Sequence, residues 1–275
     1  MRRHVLGLAP SELRVSDHVS WLGEGSDDLD RLASDVFTVG AARGEFMLYV
    51  VDDPDRTTEK LPPMLATLAA DGDLEVAAVD SVYPSGTHID PVEQMSIFDD
   101  VVRGALADGY TGVRVLADNT RLAGGSGADL ERWLAWERLT DHCQSTRPLL
   151  GVCWFDRDFI PVEYLPSLTS VHSVVGPAPE AQFQLIYDGD VTHLVGAVDN
   201  FAAEHFRRCL QAGPAELDGL IDMGETEFIE HRSLIALYHV AGNRREPVRV
   251  RNAPGPVRRV WDLLDLPGSR VIFER

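Results

Sequence analysis

Leu149-Leu150-Gly151-Val152-Cys153-Trp154-Phe155 is an unbroken apolar run without a charged residue. A run this short reads as a strand buried on both faces, because a half-exposed strand would alternate apolar and polar residues. Phe46–Val51 and Val113–Ala117 have the same character, and Leu74–Asp80 and His18–Leu22 are shorter versions of it. Between them lie segments of helical period: Leu29–Ala42, Met64–Ala70, Pro91–Leu106 and Leu130–Cys143. In the third of these, Met95, Phe98, Val102 and Leu106 recur at three- and four-residue steps. Fully apolar strands separated by helices imply an α/β fold with a parallel sheet covered on both sides.

The pattern changes near Gly176-Pro177-Ala178-Pro179-Glu180-Ala181, which can continue neither a helix nor a central strand. Beyond it, Phe183–Tyr187 and Val191–Val198 flank Asp188-Gly189-Asp190, a hairpin signal. A helix capped by Asn200 follows, with Ala202, Phe206, Cys209 and Leu210 on one stripe. Then come a strand at Leu217–Met223, a helix at Ile229–Ala241, a strand at Val248–Val250, a helix at Pro254–Leu264 and a last strand at Val271–Phe273. The expected order is ββαβαβαβ. Two domains are expected, residues 1–178 and 182–275, the second folding by itself.

The chain has 275 residues and a formal net charge of −19, from 44 acidic and 25 basic residues. Residues 182–275 hold 14 acidic and 11 basic residues, so most of the negative charge lies in the first part. A surface of that sign repels phosphate backbones and anionic lipid, so neither nucleic acid nor membrane is expected as a partner. No apolar run approaches the roughly 20 residues that span a bilayer, and the first residues lack the apolar core of a secretory signal. Cys143, Cys153 and Cys209 are too few and too irregularly spaced for a disulfide framework. A cytoplasmic protein is the expectation.

Three stretches of the second part carry a resemblance. They are Leu194-Val195-Gly196-Ala197-Val198-Asp199, Leu220-Ile221-Asp222-Met223 followed by Phe228-Ile229-Glu230, and Asn252-Ala253-Pro254-Gly255-Pro256-Val257. Together and in this order they resemble the STAS domains of sulphate transporters and anti-sigma-factor antagonists. The resemblance implies docking on an anti-sigma factor or related kinase-like protein, through the end of one strand and the start of the following helix. On that basis Asp199, Asn200, Thr226, Glu230, His231, Arg232 and Ser233 are the candidate partner-binding residues. In the family a kinase phosphorylates a serine of a D-S-S-G motif there, and the added charge disfavours rebinding. This chain has Glu230-His231-Arg232-Ser233 instead, with His231 at the acceptor position. Ser233 lies two residues on, a rotation of about 200° around a helix.

The first part resembles the methanogen/methylotroph sensory (MEDS) domain, thought to be a sensory relative of RecA/KaiC-like ATPases. The resemblance runs through Asp17-His18-Val19-Ser20-Trp21, the G-x-x-x-G-E-x-x-L-Y pattern from Gly40 to Tyr49, Asp71-Gly72-Asp73-Leu74 and Gly109–Val115. It continues through Asp118, Trp136-Glu137, Cys153-Trp154-Phe155-Asp156 and His172. It implies a RecA-like parallel-sheet sensory domain. Nucleotide chemistry is not expected. No G-x-x-x-x-G-K-[ST] is present, the single lysine is Lys60, and the position of a phosphate loop reads Gly23-Glu24-Gly25-Ser26-Asp27-Asp28, with three carboxylates.

The candidate lining of a sensory pocket is His18, Trp21, Asp118, Glu137, Cys153, Asp156 and His172. His18, Cys153, Asp156 and His172 also admit reading as a metal or nucleophile set. Cys153, however, sits in a buried strand, where a cysteine is usually an inert small hydrophobe. No catalytic residue, metal or cofactor is therefore expected. The favoured reading is a non-enzymatic regulator whose sensory domain, through a small molecule or another protein, controls docking by the second domain. The rivals are an enzyme built on the carboxylates, cysteine and histidines of the first part, and a pure scaffold.

Overall fold

The computed structural model describes residues 4–86, 88–176, 181–213, 219–267 and 270–274. The expected domain boundary at 177–180 and the start of the expected strand at Leu217 lie outside the described residues.

The first part alternates strands and helices: β1 (Val5–Leu6), β2 (His18–Gly23), α1 (Gly25–Arg43), β3 (Phe46–Val51), α2 (Pro54–Lys60), α3 (Pro63–Asp71) and β4 (Leu74–Ala78). It continues with α4 (Val79–Val82), α5 (Pro91–Ala107), β5 (Val113–Asp118), α6 (Thr120–Ala123), α7 (Gly127–Gln144), β6 (Leu149–Asp156), α8 (Leu165–Ser170) and β7 (Val174–Val175). The seven strands form one parallel sheet in the order β1-β7-β2-β6-β5-β3-β4. All eight residues of β6 are buried, as its composition demands. Successive side chains leave a strand on opposite faces. Cys153 and Phe155 join one apolar layer with Val115, Ala117, Trp133 and Trp136. Val152 and Trp154 join the other, with Leu32, Val36 and Phe37 of α1.

The second part runs β8 (Phe183–Asp188), β9 (Val191–Val198), α9 (Ala203–Ala212), β10 (Leu220–Asp222), β11 (Thr226–Ile229), α10 (His231–Ala241), β12 (Val248–Arg251), α11 (Gly255–Leu264) and β13 (Val271–Phe273). β9 pairs antiparallel with β8 and parallel with β10 and β11, and β12 and β13 complete the sheet. The mixed α/β class with a large parallel sheet and a second, smaller sheet is as expected, but the second part has one strand more than the expected ββαβαβαβ, because β11 stands between β10 and α10.

Two local differences matter. Ile229 ends a strand rather than opening a helix, because β11 extends alongside β9, pairing Phe228 with Ala197 and Ile229 with Val198. α10 starts only at His231, where the Glu230 carboxylate accepts the Ser233 amide at 3.1 Å and caps the helix. Similarly, α9 is reached through Asp199, whose carboxylate accepts the amides of Phe201 and Ala202 at 2.9 Å each. Asn200 does not cap it.

α7 lies between the two sheets. It touches β2 and β6 on one side and β8 and α9 on the other, so Trp133, Trp136, Glu137, Arg138, Asp141 and Gln144 are all buried. Covered on two sides, the helix keeps only a narrow exposed strip, with Ala128 and Glu131 toward solvent. The apolar layer around Trp136 continues without a break into Phe183, Leu185, Phe206 and Leu210 of the second part. No helix among the described residues is long and apolar enough to cross a membrane.

Candidate sensory site

Four of the seven sensory candidates converge. His18 opens β2, Cys153 lies in β6, Glu137 is on α7, and His172 is in the turn between α8 and β7. The parallel register sets His18 beside Gly151 and Ser20 beside Cys153, so His18 and Cys153 leave neighbouring strands toward α7. His18 Nε2 is 3.0 Å from Glu137 Oε2 and 3.6 Å from Cys153 Sγ. Cys153 Sγ is 3.7 Å from Glu137 Oε2, and His172 Nε2 is 3.6 Å from the same oxygen. The two imidazole rings lie 4.0 Å apart. His18, Glu137 and His172 are wholly shielded from solvent, and Cys153 nearly so.

Each group's state follows from its partners. His172 Nδ1 donates to the carbonyl of Leu168 at 2.7 Å; a carbonyl only accepts, so the proton is on Nδ1 and the lone pair on Nε2 faces the cluster. Burial, helped by the adjacent His18, pulls the pKa of His172 down to about 4, so the ring is neutral. Burial also opposes charge on His18, but Asp141 (Oδ1 3.4 Å from Nδ1) and Glu137 outweigh it and hold its pKa above the ordinary value. Burial would lift Glu137, but the His172 and His18 rings and the Cys153 thiol overcome it, and Glu137 stays ionised. Burial first, then the Glu137 charge, push the Cys153 thiol well above its usual range. A cavity of about 30 Å³ lies beside Glu137 and Cys153, lined also by Asn119, Trp136, Thr140 and Gln144. That is the scale of a water or one very small molecule.

Asp118 and Asp156 belong elsewhere. They stand at the carboxyl ends of β5 and β6, lining a cleft of about 490 Å³ with Gly25, Asp52, Thr120 and Arg121. This is the crevice where open parallel sheets commonly bind ligands. Here two of its amides are taken: Asp156 Oδ2 accepts from the Gly25 amide at 3.0 Å, and Asp118 Oδ1 from the Thr120 amide at 3.1 Å. Burial, with Asp52 and Asp156 nearby, lifts Asp118 above the ordinary carboxylate range despite its bonds from Thr120. Trp21 joins neither group; it packs with the opposite layer.

Sequence reasoning missed Asp141. Its signal was a second carboxylate four residues after Glu137, which places both on one face of a helix otherwise lined by tryptophan and leucine.

Of the partner-binding candidates, Asn200, His231 and Arg232 are exposed together, and Arg232 NH1 donates to Asn200 Oδ1 at 3.1 Å. His231 Nδ1 lies 3.2 Å from the Glu230 carboxylate, and Asp199 is half-buried beside them in sequence. Thr226 and Ser233 face inward: Thr226 Oγ1 donates to the Leu194 carbonyl at 2.8 Å, and Ser233 is fully buried against Glu230.

Residues 17–173 match the methanogen/methylotroph, DcmR sensory domain (MEDS), and the chain belongs to that family, with a sensory role. The match stops before the second sheet, where the STAS resemblance rests on the sequence motifs. No curated protein matches the chain.

Proposed function

We propose that the protein is a non-enzymatic signalling regulator in which the His18–Glu137–Cys153–His172 centre senses and the second sheet docks a regulatory protein. One observation carries this reading. Asp141 stands between the two units: its Oδ1 is 3.4 Å from His18 Nδ1, and its Oδ2 accepts the Tyr187 amide of β8 at 2.7 Å. A second link runs from Gln184 Nε2 to the His172 carbonyl at 2.7 Å. A change in position or charge at either histidine therefore alters an acceptor used by β8. Rigid elements joined by shared ion pairs and hydrogen bonds are a physical route for coupling.

The enzyme alternative needs an exposed cluster, and this one is closed to solvent, with its thiol held protonated. The docking face is the end of the second sheet that carries Asn200, His231 and Arg232, beside Phe201, which is 83% exposed. By its STAS resemblance the partner is an anti-sigma factor or related kinase-like protein, and the setting is the cytoplasm. The test is affinity capture by the full chain from lysate of the source cells, with the bound protein identified by mass spectrometry. A kinase-like regulator should be retained by the wild type and lost with Arg232→Glu. Retention by that variant, or capture of no such protein, contradicts the proposal.

A further inference from the structure

Four donor atoms of the buried centre, His18 Nε2, Glu137 Oε2, Cys153 Sγ and His172 Nε2, all lie within 4.8 Å of one another. Four of their separations are 3.0, 3.6, 3.7 and 3.6 Å. Bonds of about 2.0–2.3 Å from nitrogen, oxygen and sulfur to zinc give a tetrahedron with edges of about 3.3–3.8 Å. Two histidines, one thiolate and one carboxylate form a borderline donor set suited to zinc and its neighbours rather than to magnesium or calcium.

We infer that this centre is a tetrahedral site for a divalent transition-metal ion of the zinc class, held by His18, Glu137, Cys153 and His172. It rests on the reading of the cluster as the sensing centre, but metal content is measured without any partner, so the two can fail separately.

Three features favour an ion over mere core packing. First, both rings are oriented as metal ligands usually are: His172 Nδ1 is fixed by the Leu168 carbonyl, and His18 Nδ1 faces the Asp141 carboxylate, so both Nε2 atoms point inward. Second, His172 Nε2, one of the four donor atoms, is fully buried yet lacks a hydrogen-bond partner within the protein, and an unmet buried polar atom is costly. Third, charge balances. An ion of charge +2 displaces the Cys153 thiol proton, which leaves to solvent, and is held by two neutral imidazole nitrogens. The thiolate and the Glu137 carboxylate then neutralise the metal, so the ion and its four ligands carry no net charge in the dry interior.

Such an ion ties β2, β6, α7 and the turn before β7 to a single point. Its loss would free His18 and His172, and with them the Asp141 and Gln184 links to β8. Metal occupancy, or a small ligand reaching the metal from the adjoining cavity, is then the sensed quantity.

The test is cobalt(II) titration of the full chain after chelator treatment under reducing conditions. One cobalt per chain is expected, with the strong visible bands of tetrahedral coordination and a thiolate-to-cobalt charge-transfer band in the near ultraviolet, both displaced by zinc. Cys153→Ser should lose the charge-transfer band, and Cys143→Ser should keep it. Circular dichroism confirms that each variant is folded. If Cys153→Ser fails to fold, the wild-type spectrum and stoichiometry decide. Absence of stoichiometric cobalt, a spectrum without thiolate charge transfer, or a band that survives in folded Cys153→Ser would overturn the assignment.

Discussion

At the scale of single residues, Asp156 and Asp118 make the cleft at the carboxyl ends of β5 and β6 acidic. A phosphate binds where backbone amides at a helix start are free to point at it. At the start of α1 the Gly25 amide is already given to Asp156, and the Thr120 amide to Asp118. Arg121 does not offset this, because it pairs with Asp52 and Asp80. Calorimetry with magnesium-ATP should therefore show no binding in the micromolar range, and micromolar affinity would contradict this account of the cleft. The missing glycine–lysine loop already pointed this way in the sequence. The division of the seven sensory candidates did not show there. His18 lies beside Gly151, two residues from Cys153, whereas Asp156 lies beside Gly23 at the far end of the strand; that register is not written in the sequence, and a one-residue slip would turn Cys153 away from His18. Trp21, three residues after His18 on the same strand, falls on the other side of the sheet, as strand alternation alone requires.

At the scale of elements, Gly196 explains why a glycine stands inside an otherwise apolar strand. Its φ is +84°, and a Cβ there would lie 2.5 Å from the Gln182 carbonyl oxygen. The backbone kinks at this point as β11 shifts register against β9. Gly196→Ala should cost at least about 1–3 kcal/mol from the backbone conformation alone, seen as a lowered denaturant midpoint; an unchanged midpoint would refute the strained geometry. The start of α10 leads to a second prediction. Ser233 is fully buried and bonded to its own cap, Glu230, whereas His231 is 58% exposed. A serine-specific kinase partner with ATP should leave the wild type at its unmodified mass and add one phosphate to His231→Ser. A phosphate on the wild type that disappears with Ser233→Ala would contradict this. Helix periodicity placed α10 within two residues of its observed start but missed the separate strand β11 before it. The side chain of Glu230 terminates β11 and caps the helix in one step, and its apolar neighbours Phe228 and Ile229 fit the helical period equally well.

At the scale of the molecule, the relation between the two sheets was the least legible feature. Composition marks a break near residue 180, yet the apolar layer crosses it. α7 looks in sequence like an ordinary helix of the first part, and only the assembled structure shows it walled in by both sheets. The isolated segment 182–275 keeps its own sheet with α10 and α11, but β8 and α9 lose their cover from α7 and α8. It should still unfold cooperatively, at a lower midpoint than the full chain. A broad, non-cooperative transition would mean that the second sheet is not a separate folding unit. The central claim is that the buried histidine centre and β8 are coupled through Asp141 and Gln184. Hydrogen exchange resolved along the full chain, comparing the wild type with His18→Gln, tests it most directly. Faster exchange is expected not only around β2 and β6 but also in residues 183–188, with the Tyr187 amide foremost. Exchange altered in the first sheet and unchanged in 183–188 would contradict it.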